Sequence, residues 1–238
     1  TSVTCLHTYY DDYHGDAVVT AQDFWMGRGL SAARVDVSNV APVVDAGPSQ
    51  TTAEGTVITF HGEYLDPGTG DTWTILWEFG DGQYIQQPHT TPGILQPTHA
   101  YGDNGTYIVT LTVTDDNGGW GSDSLIVTVG NVPPVVDAGV NQVVNEGQLT
   151  YFTGGFTDMG WLDTHTASWD FGDSYSQPGT VSEVNLPPMG DGTVTGNHPF
   201  ADENSYLVRL TVTDDNGGVG SDTLTVTVNN VAPIAALS

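Results

Sequence analysis

The sequence predicts an all-β chain of tandem antiparallel β-sandwiches, and three observations carry that reading. Apolar residues alternate with a period of two over long stretches, as Tyr107, Val109, Leu111 and Val113 do against Ile108, Thr110, Thr112 and Thr114. Clusters of Gly, Asp, Asn and Pro punctuate these stretches, and no segment reads as an amphipathic helix. Long segments also recur: NVAPVVDAG at 39–47 returns as NVPPVVDAG at 131–139 and begins again as NVAPIAALS at 230–238.

Between these junctions, LWEFGDG at 76–82 answers SWDFGDS at 168–174, and TVTDDNGGWGSDSLIVTV at 112–129 answers TVTDDNGGVGSDTLTVTV at 211–228. The repeat of roughly 92 to 99 residues is the size of one sandwich domain and too long for a solenoid unit. Residues 39–130 and 131–229 are therefore expected to be two modules. His7, Tyr9, Val19 and Asn39 stand 92 positions before His99, Tyr101, Leu111 and Asn131, so residues 1–38 read as the C-terminal half of a diverged earlier module. Residues 230–238 read as the first strand of a further module or a linker stub. The chain is expected to be a window on a longer array, with strand exchange in a polymer as the alternative.

Within each module, residues 57–63 and 73–79 are expected to be strands, and 83–97 and 175–197 to be long Pro- and Gly-rich insertions. The strand through Leu111 closes on an Asp-Asn-Gly-Gly turn. Leu125, Val127 and Val129 then form the inward face of the next strand, as do Leu224, Val226 and Val228. Trp77 and Trp169 share a repeat position and are expected in the core between the sheets. Short strands with regular turn signals give an immunoglobulin-like sandwich, and the Asn-Val-(Ala/Pro)-Pro junction restricts the hinge because proline fixes φ and restrains its neighbour.

Charge excludes whole classes of partner. Asp and Glu number 29 against 3 cations, Arg28, Arg34 and Arg209, for a formal charge of −26. Nucleic acid and anionic lipid surfaces have no basic patch to meet. Most of the acids are Asp, which favours turns and hard-cation sites over helices. At 38% hydrophobic the chain is too apolar for a solvated acidic tail. A single cysteine, Cys5, leaves no intramolecular disulfide framework, and no apolar run is long enough to span a membrane.

The W(E/D)FGD turn, the His-x-(Tyr/Phe) at His99 to Tyr101 and His198 to Phe200, and the Tyr-x-Val-x-Leu-Thr-Val-Thr-Asp-Asp-Asn-Gly strand together resemble the PKD domain family over nearly all of residues 39–229. The match at 1–38 is weak, because Asp23-Phe24-Trp25-Met26-Gly27 replaces the Asp-Asp-Asn-Gly-Gly turn. The resemblance implies noncatalytic, extracellular, cell-surface or secreted modules that act as spacers, adhesion or assembly units. Some such modules bind Ca²⁺ where the incoming linker, an early Asp-rich loop and the late Asp-Asp turn meet. By that resemblance Asn39, Asp66, Asp71 and Asp116 form one candidate site, and Asn131, Asp158, Asp163 and Asp215 the other, with Asp115 and Asp214 completing the late pairs. In this sequence the early pair is stretched by Pro-Gly-Thr-Gly or Met-Gly-Trp-Leu, and the alternative is that these aspartates only close Asx turns on their own backbone. The N-terminal half-module keeps Asp23 but has Phe24 for the second Asp, so no complete site is expected there.

Other chemistry is weaker. Asp81 with Glu78, and Asp173 with Asp170, are tempting pairs of carboxylates for glycoside hydrolysis, but each lies in a turn repeated with the scaffold, and no catalytic residue is assigned. His99 and His198 suit a structural role. Trp73, Trp120 and Trp161 are candidates for stacking on sugar rings, with packing at a module rim as the alternative. Asn104-Gly105-Thr106 is a glycosylation sequon in an expected surface turn. The leading expectation is a noncatalytic extracellular array (stalk, surface layer or filament) that associates with itself or with cell-surface proteins and polysaccharides. The alternative is a carbohydrate-binding or spacer region of a large secreted hydrolase.

Overall fold

The computed structural model describes residue 4 and residues 6–22 and 27–232. The chain divides into two compact units: Thr1–Gln50 with Thr59–His99 and Tyr107–Val127, and Thr51–Ile58 with Ala100–Thr106 and Thr128–Ser238. Three segments of the first repeat thus belong with the second unit.

Strands β1 (Tyr13–Gln22) and β2 (Arg28–Val37) form a hairpin in which Tyr13 pairs with Val37 and Gln22 with Arg28. The turn through Asp23 and Phe24 lies outside the described residues, as do residues 233–238 of the stub expected after 229.

The first repeat then runs β3 (Val43–Asp45), β4 (Gln50–Ala53), β5 (Ile58–Thr59), β6 (Gly62–Leu65), β7 (Trp73–Glu78), β8 (Tyr84–His89), β9 (Gly93–Leu95), β10 (Thr98–His99), β11 (Gly105–Asp115) and β12 (Trp120–Gly130). One sheet has the order β4-β12-β11-β7-β8 and another β3-β6-β9, with β5 paired to β10. Leu111 on β11 lies opposite Trp77 on β7. Burial on β11 follows the period-two pattern: Val109, Leu111 and Val113 are buried, and so is Asp115 at the strand's end.

The second repeat runs β13 (Val135–Asp137), β14 (Gln142–Asn145), β15 (Leu149–Asp158), β16 (His165–Asp170), β17 (Ser176–Pro178), β18 (Thr180–Val184), β19 (Gly190–Pro199), β20 (Asn204–Asp214) and β21 (Val219–Asn229). Its sheets have the orders β13-β15-β19-β18 and β14-β21-β20-β16-β17, antiparallel except where β14 runs parallel to β21. Trp169, Phe171, Phe152, Phe200 and Leu210 are fully buried at the centre of this core, with Leu210 opposite Trp169.

Two expectations need correction. Residues 57–63 are not one strand: the chain leaves the pairing with β10 after Thr59 and enters a different sheet at Gly62. Glycine is required there, since a Cβ would stand 2.7 Å from the Trp77 ring. The insertions at 83–97 and 175–197 are largely strands. They take Pro88 and Pro178 because β8 and β17 are edge strands, where a missing N–H leaves no gap in the ladder.

Candidate metal centre

Each repeat gathers its acids at the ends of three strands. In the second unit Asp158 ends β15, Asp163 precedes β16, and Asp214 ends β20. One carboxylate oxygen of each lies within 4.8 Å of the others. In the first unit Asp66, Asp71 and Asp115 make the same group.

The late aspartate is fixed first. Asp214 Oδ1 accepts the N–H groups of Asn216 (2.9 Å) and Gly218 (2.8 Å), while Oδ2 accepts the Asn131 side-chain amide at 2.9 Å. Asp115 repeats this with Asn117, Gly119 and Asn39. The turn residues therefore aim the carboxylate, and the linker asparagine is tied to it. Asn131 Oδ1 is enclosed and has no partner, which leaves an amide oxygen facing inward.

The early aspartate is held by its own turn and by a ring. Asp158 Oδ1 accepts the Gly160 N–H at 2.9 Å, and Oδ2 lies 3.0 Å from His165 Nε2. Asp66 Oδ1 accepts the Gly68 N–H at 2.9 Å, and Oδ2 accepts the Trp73 indole N–H at 3.0 Å.

The middle aspartates are the anomaly. Asp71 is 3% exposed and Asp163 is 1% exposed; neither oxygen of Asp163 has a hydrogen-bond partner, and Asp71 meets only the Asp11 carboxyl, which as an anion has no proton to donate. Burial, reinforced by Glu54, Asp158, Asp103 and Asp215, pushes Asp163 up to about 8. Burial and the facing Asp11 carboxyl push Asp71 up to about 7. A cavity of about 110 Å³ opens against Asp71, lined also by Asp11, Asn39 and Gly68.

A buried carboxylate with four lone-pair sites and no donor, crowded by like charges, is unstable unless it is protonated or bound to a cation. The donors are all hard oxygens, which fit calcium rather than a soft or borderline metal. When bound, Ca²⁺ supplies the positive charge these carboxylates lack. Asp66, Asp71 and Asp115 would hold it in the first unit and Asp158, Asp163 and Asp214 in the second, with Asn131 Oδ1 as a further donor.

Asp116 and Asp215 do not join these groups. Each is exposed and accepts a threonine hydroxyl at 3.1 Å, from Thr72 and Thr164. The structure brings Asp115 and Asp214 to the carboxylate groups in their place, for a reason visible in the alternation: 109, 111, 113 and 115 share the inward phase, and 116 does not. Sequence reading also missed Glu54, Asp103 and Asp11. One oxygen each of Glu54, Asp103 and Asp163 lies within 4.8 Å of the others. The signal for Glu54 was its recurrence as Glu146, 92 positions on, each followed by glycine.

The remaining candidates resolve by contact. Trp73 is 2% exposed with its N–H on Asp66, so it has no face for a sugar. Trp161 is half-buried, its ring so close to Gly102 that a Cβ there would stand 2.4 Å away. Trp120 is 64% exposed, so its ring is accessible. Asn104 is half-buried with an enclosed Oδ1, not on an open surface turn. Asp81 accepts the Gln83 N–H and pairs with His99 at 2.7 Å, the ring stacking on Phe79. Asp173 does the same with Tyr175 and His198, on Phe171. Both oxygens of each carboxylate are committed to structure, which leaves no poised acid–base pair.

The fold and these sites define a tandem of immunoglobulin-like sandwiches with acidic loops at one end of each. The PKD domain family's model matches residues 39–129 and 131–228, and the chain belongs to that family. A microbial collagenase of Vibrio alginolyticus is 34% identical over 118 residues, which is 48% of this chain and 14% of that protein. The pre-pro-metalloprotease PrtV of Vibrio cholerae is 26% identical over 194 residues, 81% of this chain and 18% of its own length. The dyslexia-associated protein KIAA0319 homolog of Mus musculus is 27% identical over 227 residues, 92% of this chain and 18% of that protein. The chain thus spans less than a fifth of the length of these relatives. Among the described residues no helix is long and apolar enough to cross a membrane.

Proposed function

We propose that the two repeats are a noncatalytic, extracellular spacer and ligand-binding region of a larger secreted hydrolase, with calcium held in the Asp-rich sites. What supports this reading over a stalk, surface layer or filament is the company the domain keeps. Two of the relatives above bear hydrolase names, and the matched stretch is only 14% and 18% of their length. A pair of sandwiches beside a catalytic domain holds that domain at a distance from, or against, an insoluble polymer. The hydrogen bonds from Asn39 to Asp115 and from Asn131 to Asp214 support the spacer role, because they anchor each incoming linker to its own sandwich.

An antibody against this chain, applied to the medium of the source organism, tests the reading. Detection of a polypeptide that co-migrates with a hydrolytic band in a zymogram is the expected result. Detection only in an inactive polymer of repeats would overturn it in favour of the structural array.

A further inference from the structure

Glu54 and Asp103 come from the first repeat in sequence but belong to the second compact unit. Glu54 is fully buried: Oε1 accepts the Val132 N–H at 2.6 Å, and Oε2 has no partner. Asp163 faces it with both oxygens unpartnered at 1% exposure. Two oxygens bound to one calcium at about 2.3–2.6 Å each can be no more than roughly 5 Å apart. The group Glu54, Asp103 and Asp163 satisfies that limit, and so does the group Asp158, Asp163 and Asp214. Asp163 belongs to both, and its two free oxygens allow it to face two ions at once. Charge points the same way: five carboxylates around one dication leave a large excess of negative charge in a buried place, and around two they nearly balance.

The arrangement is built, and it recurs. The Leu162 N–H donates to the Gly102 carbonyl at 3.0 Å, which holds the Asp103 loop against the Asp163 turn, and the Trp161 ring packs on Gly102. In the first unit the Gly70 N–H donates to the Tyr10 carbonyl at 2.8 Å, and Asp11 faces Asp71 at the same spacing in sequence as Asp103 and Asp163. Glu146, the counterpart of Glu54, accepts the Val231 N–H at 2.9 Å and lies in a third acidic group with Asp202 and Glu203.

Building on the calcium reading above, we propose that Glu54, Asp103 and Asp163 form a second cation position, joined through Asp163 to the one held by Asp158, Asp163 and Asp214. Calcium at the second repeat is therefore held partly by ligands from the repeat before it. A truncation that starts at residue 131 has one position where the longer chain has two.

Native mass spectrometry and equilibrium dialysis with Ca²⁺ alone, on the whole 238-residue chain, count the ions. Asp71→Asn silences the first unit, and this background is expected to hold two ions. Adding Glu54→Gln and Asp103→Asn is expected to leave one, whereas adding Asp215→Asn, a charge control outside the groups, is expected to leave two. The introduced amide at position 54 keeps an oxygen for the Val132 N–H. If the double variant still fails to fold by circular dichroism in EGTA, Asp103→Asn alone serves, with an expected loss of at least about tenfold in affinity for one ion. An unchanged count and affinity in the Glu54 and Asp103 variants, with Asp163→Asn abolishing uptake, overturns the second position and spares the calcium reading. A chain that holds no calcium at all overturns both.

Discussion

Trp73 and His165 occupy the same repeat position and perform the same task with different rings: each presents a ring nitrogen at 3.0 Å to Oδ2 of the early aspartate, Asp66 or Asp158. His165 also meets Glu183 Oε2 at 2.8 Å through Nδ1, so both ring nitrogens face carboxylates. Partners of this kind orient a ligand without touching the metal. Trp73→Phe and His165→Phe are each expected to weaken calcium binding in their own unit by about 10–100-fold while the other unit is unaffected. Calorimetric titration of each variant checks this, and equal affinities would show that the rings only pack.

The phase of the late hairpin gives a sharper contrast between neighbours. Asp115→Asn is expected to remove the first unit's calcium affinity, whereas Asp116→Asn should leave it within about threefold, since Asp116 bonds outward to Thr72. The same pair of titrations at Asp214 and Asp215 is expected to give the same split.

One source of acid sensitivity lies away from the proposed calcium sites. Asp222 accepts the Ala138 N–H at 2.9 Å, and backbone donors from Ala138 and Thr223 hold its carboxyl below the usual value of 3.8. A depressed carboxylate stabilises the fold at pH values above its unfolded pKa, and that contribution is lost as pH falls through the folded value. Melting of the metal-free chain from about pH 6 down to about pH 2 is expected to show a fall below about pH 4 that is smaller in Asp222→Asn.

The tryptophans separate core from surface. Trp169→Ala is expected to cost about 3–5 kcal/mol in urea unfolding, because the ring is fully buried against Phe152. Trp120→Ala, at 64% exposure, should change stability by no more than about 0.5 kcal/mol. If the module binds a polysaccharide, retention on the insoluble polymer is expected to drop in the Trp120 variant with the fold intact.

Much of the fold is legible in the residues alone. Strict alternation through Val109, Leu111 and Val113 marks the strand and its buried face, and the shared position of Trp77 and Trp169 marks the core. The acidic loops can be read because they recur with the period. The inward phase of Asp115 is also present in that alternation, whereas the resemblance to the family pairs Asp116 with the early aspartates. Glu54 and Asp103 recur with the period, as Glu146 and as Asp11 and Asp202, but they lie in separate turns of the preceding repeat and only the fold brings them to Asp163. Edge strands that carry a proline, such as β8 with Pro88, read as loops, because their pairing needs donors on one side only.

Thermal melting of the 238-residue chain in EGTA and then in millimolar Ca²⁺ shows whether the folded chain holds calcium. At about a hundredfold excess over Kd, occupancy of a folded-state site is worth about 2.7 kcal/mol. For a sandwich of this size that raises Tm by on the order of 10 °C. That rise is expected for the unaltered chain, and Asp71→Asn with Asp163→Asn is expected to abolish it. Superimposable curves in EGTA and calcium for the unaltered chain would contradict the calcium reading.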